Sequence, residues 1–186
     1  MTIRFMLSLT LGLAAGGAIA QDSITLGMVL EPPNLDPTAN AAAAVDEVVY
    51  GNIFQGLTRI APDGTVQPAL AEGWEVQDGG RTYVFHLRPG VTFHDGSGFD
   101  AQDVIFSLDR ARAPESTNAQ KALFAGIKTV TAPDPQTVRV ALSAPDGAFP
   151  FKMAWGDAVM LDPATAAQAA TRPVGTGPVS YTPLRA

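Results

Sequence analysis

Apolar positions along this chain come in three rhythms, and each change of rhythm marks a boundary. Residues 5–20 form an apolar run interrupted only by Ser8 and Thr10, after a charged start at Arg4 and before the small-residue ending Ala18-Ile19-Ala20. Charge, apolar centre and small-residue site in that order predict a signal peptide over 1–20, cleaved near Ala20. The run is shorter than the roughly 20 apolar residues a membrane-spanning helix needs, and no basic stop follows it.

Residues 23–30 alternate and then become continuously apolar, as a strand entering a buried sheet does. Glu31-Pro32-Pro33 ends it, because proline donates nothing to a ladder and biases the preceding residue away from helix, so residues 31–37 are expected as an extended loop at the strand's carboxyl end. Residues 40–55 place Val45, Val48, Val49 and Ile53 on one helical stripe, with Gly56 as the stop.

From residue 57 to 94 the period falls to two, with turns at Pro62-Asp63-Gly64 and Asp78-Gly79-Gly80. Tyr83, Phe85 and Leu87 share one face of a strand, and Pro89-Gly90 turns the chain into a further strand at 91–94. Tyr83, Phe85 and Phe93 read as core rather than as a ligand platform. Asp100 then caps a helix whose stripe is Val104, Ile105, Leu108 and Ala111, with Asp103 favouring its amino-terminal dipole and Phe99 stapled against Val104. A second hairpin spans 127–131 and 137–142 around Pro133-Asp134-Pro135, and two short helical stretches follow, the later one capped by Asp162 and running to Thr171.

Composition narrows the classes. The 186 residues suit roughly one domain, and 46% hydrophobic content argues against disorder. The net charge of −6, one unit more negative once Arg4 leaves with the leader, and the lack of a basic run set nucleic acid aside. With no cysteine, disulfides, thiolate metal sites, cysteine nucleophiles and lipid-modified cysteine anchors are all excluded.

Candidate catalytic residues have cheaper explanations. His86 and His94 lack a ligand partner at helical spacing, so metal binding is not expected. Asp95, Asp100 and Asp103 could form a hydrolase's carboxylate pair if one were buried with a raised pKa, but turn and capping duty explains them. Ser97 lacks the surroundings of a nucleophile elbow, and Gly175-Thr176-Gly177 is only half of a dinucleotide fingerprint.

Four ordered stretches resemble the family 5 solute-binding proteins of bacterial ABC importers, the dipeptide- and oligopeptide-binding group. They are Glu31-Pro32-Pro33-Asn34-Leu35-Asp36-Pro37, the segment 68–76 ending Gly73-Trp74-Glu75-Val76, the strand, turn and strand of 83–96, and the capped helix start at 100–108. A fifth, Pro173-Val174-Gly175-Thr176-Gly177-Pro178, also fits, with Val179 where the family usually carries an aromatic.

The resemblance implies an α/β fold of the type II periplasmic-binding-protein kind. Residues 21–40 would begin the main lobe, 41–170 would form a smaller mixed α/β subdomain with antiparallel strands and helices, and 171–186 would return toward the main lobe. It implies a binder and not an enzyme, without cofactor or metal, that takes a short peptide or similar small solute in the periplasm to an inner-membrane ABC permease and is monomeric at full length. Leu30, Glu31, Pro32, Pro33 and Asn34 would lie beside the ligand, Glu31 opposite a cationic amino terminus; Gly175, Thr176 and Gly177 would mark the return near the hinge. A plainer alternative is that these prolines and glycines only shape loops. Nickel complexes, haem, opines or oligosaccharides are alternative cargo on the same scaffold. Family members are much longer, so the chain is expected to be an amino-terminal fragment without the second large lobe, unable to close on a ligand alone and prone to aggregate.

Overall fold

A computed structural model describes residues 25–39 and 42–182, so the leader expected at 1–20 lies outside the described residues. Among the described residues six strands and three α-helices, with short 3₁₀ turns between some of them, follow one another: α1 (Ala43–Val49), β1 (Thr58–Ile60), β2 (Val66–Pro68), β3 (Ala71–Gln77), β4 (Thr82–Leu87), α2 (Ala101–Arg112), β5 (Ile127–Asp134), β6 (Thr137–Leu142) and α3 (Phe149–Lys152). Strands β1 and β2 pair as a small hairpin, and the other four form an antiparallel sheet in the order β3-β4-β6-β5.

The sheet is held by the face that period two assigned to the core. Tyr83, Phe85 and Leu87 are buried from β4, as are Val138, Val140 and Leu142 from β6. They pack with Val104 and Leu108 of α2 and with Phe149 and Met153 around α3. Tyr83 and Phe149 lie with ring centroids 5.1 Å apart, and the Tyr83 hydroxyl donates to the Asp146 carbonyl, so the one polar atom in this cluster is satisfied. Burying a residue such as Phe85 contributes about 2–3 kcal/mol. Asp78, Gly79 and Gly80 all take positive φ between β3 and β4, which is why glycine fills two of the three places.

Helix α2 begins as its sequence predicts. The Asp100 carboxylate accepts from the Gln102 amide at 2.7 Å, and Asp103 reaches back to the Asp100 amide at 2.8 Å. This reciprocal pair satisfies amides that would otherwise point into nothing. Arg110 and Arg112 occupy the last turn, where the dipole favours cations, and Pro114 follows.

A second apolar cluster joins Leu35, Val45, Val49, Ile53, Phe54, Val159 and Leu161. It ties the amino-terminal loop to α1 and to the segment after α3.

Four expectations are corrected. Residues 25–30 form no strand, and Val29 is 99% exposed, because no described strand lies beside them to complete a ladder. The helix expected over 40–55 is only Ala43–Val49; the Phe54 amide bonds back to the Val49 carbonyl and turns the chain. Residues 91–94 make a single bridge, Thr92 to Gly98, since Asp95 and Gly96 fold the chain back too soon for a strand. The helical run after Asp162 shrinks to a 3₁₀ turn at Ala166–Gln168, its Asp162 carboxylate still accepting from the Ala164 amide at 2.9 Å.

Candidate functional site

The loop assigned to the ligand consists of an exposed arm and a fixed base. Leu30, Glu31 and Pro33 are exposed, and Pro32 and Asn34 are half-buried. Below them the chain is locked: the Asn34 side chain accepts from the Asp36 amide at 3.0 Å, and Asp36 accepts from the Thr38 amide at 2.9 Å and the Thr38 hydroxyl at 2.6 Å. Asp36 is 4% exposed, and Arg110 from the last turn of α2 donates to it at 3.1 Å and also bonds the Thr38 hydroxyl. Leu35 enters the second apolar cluster, and its amide donates to the Ala170 carbonyl at 2.9 Å. A short extended loop thus leaves a rigid footing with its side chains facing outward.

Gly175, Thr176 and Gly177 are seated on the turn after α1. The Gly177 amide donates to the Ile53 carbonyl at 2.9 Å and the Val179 amide to the Asn52 carbonyl at 3.0 Å. Thr176 commits its hydroxyl to Gln55 at 3.0 Å. A Cβ on Gly175 would lie 2.0 Å from the Ile53 carbonyl oxygen, and one on Gly177 would lie 2.2 Å from that of Asn52. Both glycines are therefore required by close backbone approach.

His94 closes the seat from the other side. Its amide donates to the Gly175 carbonyl at 2.9 Å, its Nδ1 lies 3.3 Å from the Gly175 amide, and its Nε2 lies 2.8 Å from the Gly177 carbonyl.

No hydrogen bond among the described residues joins 30–34 to 175–177, but one apolar cluster supports both, since Leu35 and Ile53 belong to it. The open clefts among the described residues include three of note. One of about 500 Å³ lies beside Thr38, Phe106 and Arg110. The others lie beside Tyr50 and Gln55 and along β3. None of the three is lined by the eight residues assigned from sequence.

The carboxylates singled out for hydrolysis are held by local bonds. Asp95 accepts from the Ser97 amide and hydroxyl, which keep its carboxyl below the usual range, and Asp100 caps α2. Asp103 is buried, and desolvation pushes its pKa up to about 6, so the condition set for an acid is met; yet its carboxylate caps α2 and lines none of the three clefts. His86 pairs with Glu75 at 3.3 Å on the exposed side of the sheet. Among the described residues no three metal-type ligands gather.

Sequence reasoning missed Asp36 and Arg110 as the loop's anchor and His94 as the seat's closure. Asp36 carried a local signal, two residues after Asn34 and two before Thr38, the spacing of side-chain-to-backbone turns. Arg110 and His94 act across the fold and carried none.

Comparison with known proteins agrees with this architecture. Residues 65–183 match the family described as "Bacterial extracellular solute-binding proteins, family 5 Middle". The glutathione-binding protein GsiB of Salmonella paratyphi A is 34% identical over 176 residues, covering 92% of this chain and 34% of its own length. That of Pectobacterium atrosepticum is 36% identical over 152 residues, covering 80% of this chain and 29% of its own length. Among solved structures, the periplasmic binding protein AgaA of A. tumefaciens in complex with agropinic acid superposes with a TM-score of 0.77 at 30% identity, covering 83% of this chain and 32% of that one. DppA of Helicobacter pylori with the peptide STSA gives a TM-score of 0.72 at 26% identity, covering 82% and 35%. The chain spans about a third of the length of these relatives. With sequence match and fold in agreement, the chain belongs to family 5 of the bacterial extracellular solute-binding proteins.

Proposed function

We propose that this chain supplies one jaw of a periplasmic solute-binding protein, which captures a short peptide or a peptide-like amino-acid derivative and delivers it to an ABC permease. Residues 21–40 and 171–186 belong to the main lobe in this reading, and 41–170 to a smaller subdomain. The observation that carries it is the exposed loop at 30–34 standing on the Asn34, Asp36 and Arg110 anchor. Such a loop offers backbone groups and the Glu31 carboxylate to a ligand without first having to be ordered, so little entropy is lost on binding. The Gly175–Gly177 seat fixes where the chain leaves the smaller subdomain. A binder and not a catalyst suits the carboxylates, whose roles are turns and caps.

A second reading, an opine-type cargo, is favoured by the likeness to AgaA in complex with agropinic acid.

The test is deletion of the gene in its host, followed by uptake of labelled dipeptides, glutathione and agropinic acid. Loss of one of the first two supports the peptide reading, and loss of agropinic acid alone supports the second. Unchanged uptake of all three rejects transport of these classes. Restoring the gene with Glu31→Gln should raise the concentration needed for half-maximal peptide uptake by about tenfold, the effect of losing one charge-assisted hydrogen bond.

A further inference from the structure

The two ring nitrogens of His94 face groups of opposite kind. Opposite Nδ1 stands the Gly175 amide, which can only donate; opposite Nε2 stands the Gly177 carbonyl, which can only accept. Only the neutral imidazole with its proton on Nε2 satisfies both. The imidazolium carries a proton on each nitrogen and would set an N–H against the Gly175 N–H.

We propose that His94, as the neutral Nε2–H tautomer, is the positioning residue of the Gly175–Gly177 seat, and that protonation at Nδ1 releases that seat. The seat has little slack, because Gly175 and Gly177 already lie against the Ile53 and Asn52 carbonyls with no room for a Cβ. An imidazolium cannot be relieved by a small shift of Gly175 toward Ile53, so the strain falls on the bonds from 175–179 to 52–55.

The surroundings leave the ring as the titrating element. Segments 52–55 and 173–179 contain no Asp, Glu, His, Lys, Arg or Tyr. Asp95 is the neighbouring carboxylate; it is bonded to Ser97, and a positive charge on His94 would help hold it ionised. His86, the other histidine in the chain, sits on β4 with Glu75. The tautomer and its release stand on this geometry alone. Their consequence, a loss of solute capture in acid, rests on the transport reading above.

The test is nitrogen-resolved NMR on the full chain labelled with ¹⁵N-histidine, where two imidazoles give two signal sets and His86→Gln assigns them. His94 is expected to show a protonated Nε2 and a bare Nδ1 at neutral pH. As the same ring titrates, exchange of the Gly175 amide, corrected for the intrinsic effect of pH, should quicken by about five- to tenfold, while the Leu87 amide, bonded to Gln136 in the sheet, should not change. His94→Gln, which keeps a donor and an acceptor but cannot titrate, should hold the seat without the pH dependence. A proton on Nδ1 at neutral pH, or Gly175 protection indifferent to His94 titration, would overturn the proposal. Both readouts are on the unaltered protein, so misfolding of the variant leaves the outcome decisive, and neither depends on whether uptake is found.

Discussion

Arg110 donates to Asp36 at 3.1 Å across 74 residues of chain, joining the last turn of α2 to the base of the amino-terminal loop. Asp36 is buried, whereas the Arg110 side chain is a third exposed, so the pair is anchored at the carboxylate end and fed from the solvent side. Water can partly replace the guanidinium but cannot easily reach the carboxylate.

Arg110→Ala should therefore lower stability by about 1–2 kcal/mol and loosen the loop more than the sheet. Thermal melting gives the first quantity. Hydrogen exchange gives the second: the Thr38 amide, which donates to Asp36, should lose protection while the β4 amides keep theirs. Equal loss in both places would mean that Arg110 supports the whole fold and not the loop.

Gly175→Ala should be far more damaging than its single methyl suggests. The new Cβ meets backbone, the Ile53 carbonyl oxygen, and backbone cannot rotate away as a side chain can. About 3 kcal/mol or detachment of the seat is expected. Denaturant unfolding with exchange at the Val179 amide separates the two, and a variant as stable as the parent with Val179 still protected would show that the approach is not tight.

Acidic pH should favour the buried carboxylates of Asp103 and Asp157. Burial raises both from 3.8 to about 6, with neighbouring Asp46 adding to Asp157 and Asp100 and Asp162 adding to Asp103. The folded chain then holds protons that the unfolded chain has released, so their contribution to stability falls as pH rises from about 4 to about 6. Replacing Asp103 with Asn removes the ionisation while keeping an oxygen for the Asp100 amide. The variant should match the parent at pH 4 and exceed it by about 1–3 kcal/mol at pH 7 in urea titrations. A gap that shrinks with rising pH would contradict the burial argument.

Phe85→Ala should cost about 3–5 kcal/mol, since Phe85 is fully buried between Trp74, Tyr83 and Phe149 and its loss leaves a void. Val76→Ala, exposed on the adjacent strand, should change little. Urea midpoints compare them, and equal effects would mean that the sheet's inner face is misassigned.

What could be read before the structure was local. Period two fixed the inward face of β4 and β6, and Asp100 and Asp103 marked the start of α2, because alternation and capping act within a few residues. The same logic failed at 25–30, where apolar content predicts a buried strand but burial depends on a neighbour that the pattern cannot supply. It overran at α1, where Ile53 continues the stripe yet joins the same core after a turn. The Asp36 to Arg110 and His94 to Gly175 bonds bring together residues 74 and 81 positions apart, distances at which spacing carries no information.

The sheet order β3-β4-β6-β5 has a consequence for how the chain assembles. β4 finds one neighbour at once, because β3 precedes it across a four-residue turn, but its other neighbour, β6, arrives only after α2 and β5 have been made. A chain emerging amino end first must therefore carry Tyr83, Phe85 and Leu87 on a two-stranded ribbon until Val138 and Val140 appear. Through that interval the ribbon's apolar side has only part of its cover, so the sheet is completed late, when β6 slots in beside β4.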